Sequence, residues 1–270
     1  MDTVIVIPAR YASQRFPGKP LAPLKGATGV SKTLIERTFE AATAAAEAVG
    51  GVDAVVVATD DTRIADAAKA FGAIVAMTPE NCRNGSERCW AAVQALPERP
   101  NIIVNLQGDS PLTPPDFVEA CVSALRHDPS LGVATPALRC TGRMLKTLRD
   151  DRRAGLVGGT TAVTAASGDA LYFSKEVVPF TDADYADEAA TPVRLHVGLY
   201  AYRAAALEAY AAWPPDPLET HEGLEQLRFL ANGAPVRVVE VAPPGREFCE
   251  LNNPVDTERV EAALRELGQA

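Results

Sequence analysis

The sequence predicts an α/β chain of Rossmann-like type, with a mainly parallel central sheet and helices on both of its faces. Three observations carry that reading. Short apolar runs without alternation, such as Val4-Ile5-Val6-Ile7, have the composition of strands buried on both faces. They alternate with helical stretches in the order strand, helix, strand, helix, strand, the pattern of a parallel sheet with right-handed crossovers. The strands also run out into turn residues, Pro8 after the first and Gln107-Gly108-Asp109 after the fourth, at the edge where open sheets take ligands.

Residues 4–7 form the first strand, which Pro8 ends. Residues 31–49 read as a helix capped by Ser31 and filled by the alanine-rich AATAAAEAV, with Gly50-Gly51 as its stop. A buried strand at 52–58, a helix at 62–71 closed by Gly72, and a strand at 74–77 follow. Residues 78–88, TPENCRNGSER, are polar and turn-rich and lead into a helix at 89–96. Next come the fourth strand at 101–106, a helix at 114–126 with Thr113 as its cap and prolines in its first turn, and a strand at 133–138. The rhythm then breaks. A basic stretch at 143–153, a strand-like 170–174 and the acidic TDADYADE precede a clear strand at 194–202. Helices at 204–212 and 218–231, a strand at 236–241 and a helix at 256–267 close the chain. We read one domain over residues 1–270, with an excursion from the main sheet at 139–203.

Length and composition agree. The 270 residues, 47% hydrophobic and 23% charged, suffice for one large α/β core. The net charge of −9 argues against nucleic acid and against anionic membranes as partners. The five cysteines are scattered, with no CxxC pair, which fits a reducing compartment. No signal-like start and no apolar run of membrane-spanning length is visible, so the expected location is cytoplasmic.

Chemistry concentrates at the strand ends. Arg10, Arg15 and Lys19 lie among small residues on a turn-prone loop after the first strand, a place for a polyanion. Asp109, at the end of the fourth strand, puts a carboxylate opposite them. Magnesium takes hard oxygens and usually one or two protein carboxylates, with phosphates and waters completing its shell, so the pairing suits a Mg²⁺–triphosphate. Thr59 and Asp60 end the neighbouring strand and border the same pocket. Asp182-Ala183-Asp184 has the short DxD form of metal-using glycosyltransferases but lies in an acidic loop. The three histidines, His127, His196 and His221, are too scattered to argue a zinc site. Taken alone, His196 and Tyr172 read as core residues.

The loop PARYASQRFPGKP resembles the opening of the CMP-KDO synthetases (3-deoxy-manno-octulosonate cytidylyltransferases), within the sugar nucleotidylyltransferases. The resemblance extends over nearly the whole chain and implies the nucleotidyltransferase form of the fold, with a smaller inserted sugar-binding and dimerisation region. It implies that Pro8, Ala9, Arg10, Arg15 and Lys19 wrap the triphosphate of CTP. LQGD is similar to the family's QGD motif, which makes Asp109 a magnesium ligand and turns Gln107 to the sugar; Ser110 stands where the family commonly has glutamate. Glu250-Leu251-Asn252-Asn253-Pro254 stands where the family has VDTPED, so Asn252 takes the place of the second metal-binding aspartate. NGSER is similar to the family's SGTER loop and puts Gly85, Ser86 and Arg88 at the base. LHVGLYAY and LETHEGLEQLRFL resemble the family's HLGIYGY strand and LEQLR helix; with Tyr172 they give Tyr172, His196, Tyr200, Glu225 and Gln226 as the acceptor pocket.

The implied reaction is CTP plus KDO giving CMP-KDO and pyrophosphate, with Arg10, Lys19 and Asp109 catalytic, Mg²⁺ as cofactor and a homodimer as the assembly. Four positions depart from the family's motifs: Ser110, Asn252, Thr161 for a lysine, and Lys175 for an arginine. They leave other acceptors open, such as 8-amino-KDO, another ulosonic acid or a small phosphonate. A glycosyltransferase or a noncatalytic nucleotide-binding protein stand behind these.

Overall fold

The computed structural model describes residues 1–12, 16–156, 158–243 and 250–269 and begins with a strand whose seven residues are all buried, β1 (Thr3–Ala9). A short hairpin of β2 (Pro23–Lys25) and β3 (Ser31–Thr33) follows, then α1 (Leu34–Val49), β4 (Val52–Thr59), α2 (Thr62–Ala70), β5 (Ile74–Met77), α3 (Gly85–Gln94), β6 (Ile102–Leu106) and α4 (Pro115–His127). The second half holds β7 (Val133–Thr141), α5 (Gly142–Arg153), β8 (Thr160–Thr164), β9 (Ala170–Ser174), β10 (Ala190–His196), β11 (Leu199–Arg203), α6 (Ala204–Ala212), α7 (Pro217–Glu222), α8 (Leu227–Ala231), β12 (Arg237–Val241) and α9 (Thr257–Glu266). Among the described residues no helix is long and apolar enough to cross a membrane.

Ten strands form one sheet in the order β5-β4-β1-β6-β11-β7-β10-β8-β9, with β12 beside β7. Strands β1, β4, β5, β6, β7, β8 and β12 run one way, and β9, β10 and β11 the other. The centre of the sheet has a core on each face. Val4 and Val6 of β1 pack with α3, α6 and α8 on one side, while Ile5 and Ile7 pack with α1, α2 and α4 on the other. This two-sided burial is why the first strand shows no alternation.

Several boundaries differ from the sequence expectation. Strand β1 continues through Pro8 to Ala9, because pairing with β6 stops at Val6 while pairing with β4 runs on to Thr59. With one flank open, a missing N–H is tolerated. Ser31 does not cap α1: residues Ser31–Thr33 pair with Pro23–Lys25, and Thr33 caps instead, its hydroxyl accepting from the Glu36 N–H at 3.3 Å. Helix α3 begins at Gly85, four residues earlier than expected, with the Asn84 side chain accepting from the Glu87 N–H at 2.9 Å. Thr113 is not the cap of α4; its hydroxyl donates to the Ser110 carbonyl. The expected helix at 218–231 is two helices, because Gly223 takes a left-handed conformation (φ 61°, ψ 39°) at the end of α7. The strand at 194–202 is likewise two pieces. β10 and β11 both run antiparallel to β7 and are interrupted at Val197-Gly198, beyond which β11 turns to pair with β6.

One buried cation ties the late helices to α3. Arg228 of α8 is fully buried; it donates to Glu219 of α7 at 2.7 and 2.6 Å and to Glu87 of α3 at 3.0 Å, and lies 4.2 Å over the Tyr210 ring of α6. Removing it would leave the mostly buried Glu219 without its cation and Glu87 with Arg83 alone. Arg228→Met is therefore expected to cost about 3 kcal/mol or more in urea unfolding, because the loss of one partner leaves uncompensated buried charge. A midpoint within experimental error of the parent would show that the network contributes no stability.

Candidate active site

The ends of β1 and β6 lie side by side, and that closeness builds the first part of the site. A Cβ on Gly108 would stand 2.6 Å from the Pro8 carbonyl oxygen and 3.6 Å from the Ala9 side chain, so only glycine fits. Thr38 of α1 reaches the Gly108 carbonyl at 3.1 Å. The next residue is Asp109. Its carboxylate receives the Lys19 ammonium at 2.6 Å, with both side chains mostly shielded. Lys19 is delivered by a turn in which Gly18 (φ 71°) returns its N–H to the Tyr11 carbonyl at 3.0 Å. Arg10 is exposed at the strand end. Arg15 lies outside the described residues.

The second part is the start of α3. Gly85 donates its N–H to the Glu225 carboxylate at 3.0 Å, and the Ser86 hydroxyl donates to the same carboxylate at 3.0 Å while contacting the Tyr202 hydroxyl at 2.7 Å. A carboxylate at a helix N-terminus meets unpaired N–H groups and the positive end of the helix dipole. Burial pushes the Glu225 carboxyl above its ordinary value, and the bonds from Ser86 and Gly85 pull it back down. Arg88 points elsewhere. Its guanidinium is buried, donating to Thr78 at 2.6 Å and to Asp60 at 2.8 Å. Thr59 is buried beneath, its carbonyl accepting from the Thr78 N–H at 2.9 Å. The structure thus joins Thr59, Asp60 and Arg88 through Thr78, but Arg88 is spent on protein partners.

The third part is a polar strip along β6 and β11. Gln107 donates to the Asn105 side chain at 3.3 Å, and both amides crowd Gly85, where a Cβ would stand 2.9 Å from Gln107 Nε2 and 3.1 Å from Asn105 Nδ2. Asn105 pairs across the strands with Tyr200, whose hydroxyl donates to Gln226 Oε1 at 3.0 Å. Among the described residues the Asn105 and Gln226 amide nitrogens are buried without a protein partner, which is costly unless something polar reaches them. His196 stacks edge-on to Phe173 at 5.0 Å, and its Nε2 lies 2.9 Å from the Thr135 hydroxyl. Thr135 donates to the Leu199 carbonyl at 2.7 Å and so accepts from His196, which assigns the proton to Nε2. Burial pushes His196 down to about 3, so it is neutral. Tyr172 reaches Glu222 at 3.4 Å, and Glu222 also accepts from the Ser174 hydroxyl at 2.8 Å and the Lys175 N–H at 2.9 Å.

The fourth part is the segment before α9. The Leu251 N–H donates to the Asp109 carbonyl at 2.9 Å, which sets Asn252 beside the Asp109 turn. Asn252 Nδ2 donates to Glu250 Oε2 at 3.2 Å, turning the amide oxygen away from that carboxylate. Among the described residues no group of three or more His, Cys, Asp or Glu could hold a metal. Magnesium does not need one. A carboxylate and an amide oxygen on adjacent backbones, completed by phosphate and water, are a donor set it accepts.

Sequence reasoning missed Asn105, Thr135 and Tyr202. Asn105 carried a visible signal, a polar residue inside the apolar run NIIVNL. Thr135 and Tyr202 carried none, since both are ordinary strand residues.

A family model described as cytidylyltransferase matches residues 4–238. The 3-deoxy-manno-octulosonate cytidylyltransferase of Maricaulis maris is 45% identical over 269 residues, covering 100% of this chain and 99% of that protein. The enzyme of the same name from Zea mays is 37% identical, covering 96% of this chain and 80% of that one. Among solved structures, CMP:2-keto-3-deoxy-manno-octonic acid synthetase complexed with CTP superposes with a TM-score of 0.81 at 35% identity, covering 99% of this chain and 100% of that one. The 4-diphosphocytidyl-2C-methyl-D-erythritol synthase of Anaerococcus prevotii, at 14% identity, covers 98% of this chain and 99% of its own with a TM-score of 0.57, a likeness of fold alone.

The half-buried His196 gives the site a pH dependence with a definite sign. Its folded value of about 3 lies below the ordinary 6.5, so the unfolded chain binds a proton that the folded chain refuses. Stability from this group is full above pH 6.5 and is lost as pH falls towards 3. One proton of difference is worth about 1.4 kcal/mol per pH unit. His196→Gln is expected to flatten the acid limb of the stability curve by roughly 1 kcal/mol per unit between about pH 6 and 4, measured by urea unfolding. Parallel limbs in parent and variant would mean that His196 titrates as an exposed histidine.

Proposed function

Because this chain belongs to the cytidylyltransferase family, we propose that it transfers the CMP unit of CTP to 3-deoxy-manno-octulosonate and releases pyrophosphate. The observation that carries the reading is the meeting of Lys19, from the loop after β1, with Asp109, from the turn after β6, at 2.6 Å. A cation for phosphate and a carboxylate for a divalent ion are thereby placed at one sheet edge, where α/β folds take ligands. The relatives' names support the acceptor.

In this reading Arg10, Arg15 and Lys19 hold the triphosphate, and Lys19 leaves Asp109 for phosphate oxygens as CTP seats. Pro8 and Ala9 form the floor against Gly108, and Gly85 and Ser86 face the base. Asp109 and Asn252 are the residues that would hold magnesium, which when bound polarises the phosphate and lowers the pKa of a nearby hydroxyl. Gln107, Tyr172, His196, Tyr200, Glu225 and Gln226 orient the acceptor. Its many hydroxyls suit the strip's buried amides, whose nitrogens have no protein partner among the described residues. The acceptor's anomeric hydroxyl attacks the α-phosphorus in line and pyrophosphate departs, without an enzyme-bound intermediate. Catalysis is then positioning plus charge neutralisation. We also propose a homodimer, with the 139–203 excursion at its contact, working in the cytoplasm.

Pyrophosphate release from CTP, Mg²⁺ and 3-deoxy-manno-octulosonate tests this directly. Release should require all three and stop on chelation with EDTA. Asp109→Asn should lower kcat by about 10²–10³-fold or more while thermal unfolding stays cooperative. No release with this acceptor, but release with another sugar acid, would reassign the acceptor; no release with any acid would remove the catalytic reading.

A further inference from the structure

Residues 250–252 return alongside the Asp109 turn in a way that sorts their side chains. Leu251 is fully buried in the cluster with Leu24, Leu34 and Leu112. In extended chain, residues two apart share a side, and Glu250 and Asn252 do so here, joined by the 3.2 Å bond from Asn252 Nδ2 to Glu250 Oε2. The backbone between them is fixed to Asp109 by the bond from the Leu251 N–H to the Asp109 carbonyl at 2.9 Å. Glu250 also reaches the acceptor side. A Cβ on Gly198 would stand 3.5 Å from Glu250 Oε1 and 3.9 Å from Gln107 Cγ, which places this carboxylate and Gln107 around the same β10–β11 break. Gln107 is two residues before Asp109. Glu250 therefore flanks the turn that presents Asp109, between it and the polar strip of Tyr200 and Gln226.

The charge balance gives this placement a purpose. Asp109 and Asn252 together offer a divalent cation one negative charge, and Asp109 is shared with Lys19. Hard cations gain affinity with ligand charge. Resting on the reading above, we infer that Glu250 is a further residue of the magnesium–triphosphate site and supplies the second carboxylate that the neutral Asn252 does not. Glu250 sits two residues before Asn252, on the same side of the backbone. Asn252 then has two tasks, offering its amide oxygen to the cation and steering Glu250 with its amide nitrogen.

Mn²⁺ serves as the probe, with its free-ion electron paramagnetic resonance signal followed in solutions of enzyme plus CTP, against CTP alone. Glu250→Gln, nearly isosteric, should weaken the enzyme-dependent Mn²⁺ uptake by about tenfold or more. Adding Asn252→Asp to that variant should restore uptake to within a few-fold of the parent. A carboxylate that merely held the loop would not be replaced from position 252, so the rescue separates ligand from scaffold. Should Glu250→Gln fail to fold, Glu250→Asp is read in its place, with a smaller weakening that Asn252→Asp again reverses. Uptake by Glu250→Gln equal to the parent overturns the inference, and so does a weakening that Asn252→Asp leaves unrepaired. If the parent itself takes up no Mn²⁺ beyond CTP alone, the magnesium reading fails and the role of Glu250 falls with it.

Discussion

The absence of a side chain at residue 108 is the constraint on which the site depends. Strands β1 and β6 are adjacent and parallel, so their carboxyl ends emerge together. A Cβ at 108 would press to 2.6 Å against the Pro8 carbonyl, and any residue but glycine would push the two ends apart. With them together, the loop leaving Ala9 and the turn leaving Leu106 start from neighbouring points. The Gly18 turn then brings Lys19 back to the Asp109 turn, where the two meet at 2.6 Å. The chemistry is assembled by backbones buried on both faces, which are among the most rigid parts of a fold.

The opposite side of the site is clamped by a single short segment. Glu225 receives the first N–H of α3 from Gly85, and Arg228, three residues later, holds Glu87 in the same helix turn. Between them Gln226 takes the Tyr200 hydroxyl. The start of α3 and the polar strip of β11 are therefore positioned by the same residues. Neither can shift without straining a buried charged contact, which is among the costlier things to break in a protein interior. Placing Glu225 at a helix start also explains how a half-buried carboxylate is tolerated there, since two hydrogen bonds and the helix dipole offset much of its desolvation.

The parallel strands were legible from their apolar runs: β1 and β6 are buried along their whole length, while β4 is buried only in its second half and the edge strand β5 keeps an apolar run with Ile74 and Met77 exposed. The misplaced helix starts share one overlooked signature. Thr33 with Glu36, Asn84 with Glu87, and Asp216 with Glu219 each put a capping side chain three residues before a glutamate, the pattern of a capping box. Ser31 attracted the cap of α1 only because its pairing with Lys25 is a tertiary fact that local propensity does not contain. In the site, the residues of the β1 loop and of the Gln107-Gly108-Asp109 turn could be found in the sequence because each cluster is contiguous. What could not be read there is which distant partner each one meets. Glu225 meets Gly85 across 140 positions, and Arg88, which looked available to a ligand, closes on Asp60 and Thr78.

An acidic chain that takes a polyanion must limit its own repulsion of it. With a net charge of −9, long-range steering works against CTP, so attraction has to be local. The structure meets this by covering the carboxylates at the strand ends from within. Lys19 covers Asp109 and Arg88 covers Asp60, each at under 3 Å, so an incoming phosphate meets neutralised pairs and the exposed Arg10 in place of bare acids. The two pairs differ in burial, and that difference decides what each can do. Arg88 is buried with a second partner in Thr78, so it stays where it is. Lys19 holds Asp109 through one bond on a flexible stem, at a site with more access to solvent, and a compact ammonium exchanges partners readily. In the proposed reading, release of Asp109 is coupled to capture of the triphosphate, because the cation that leaves the one is the cation that binds the other.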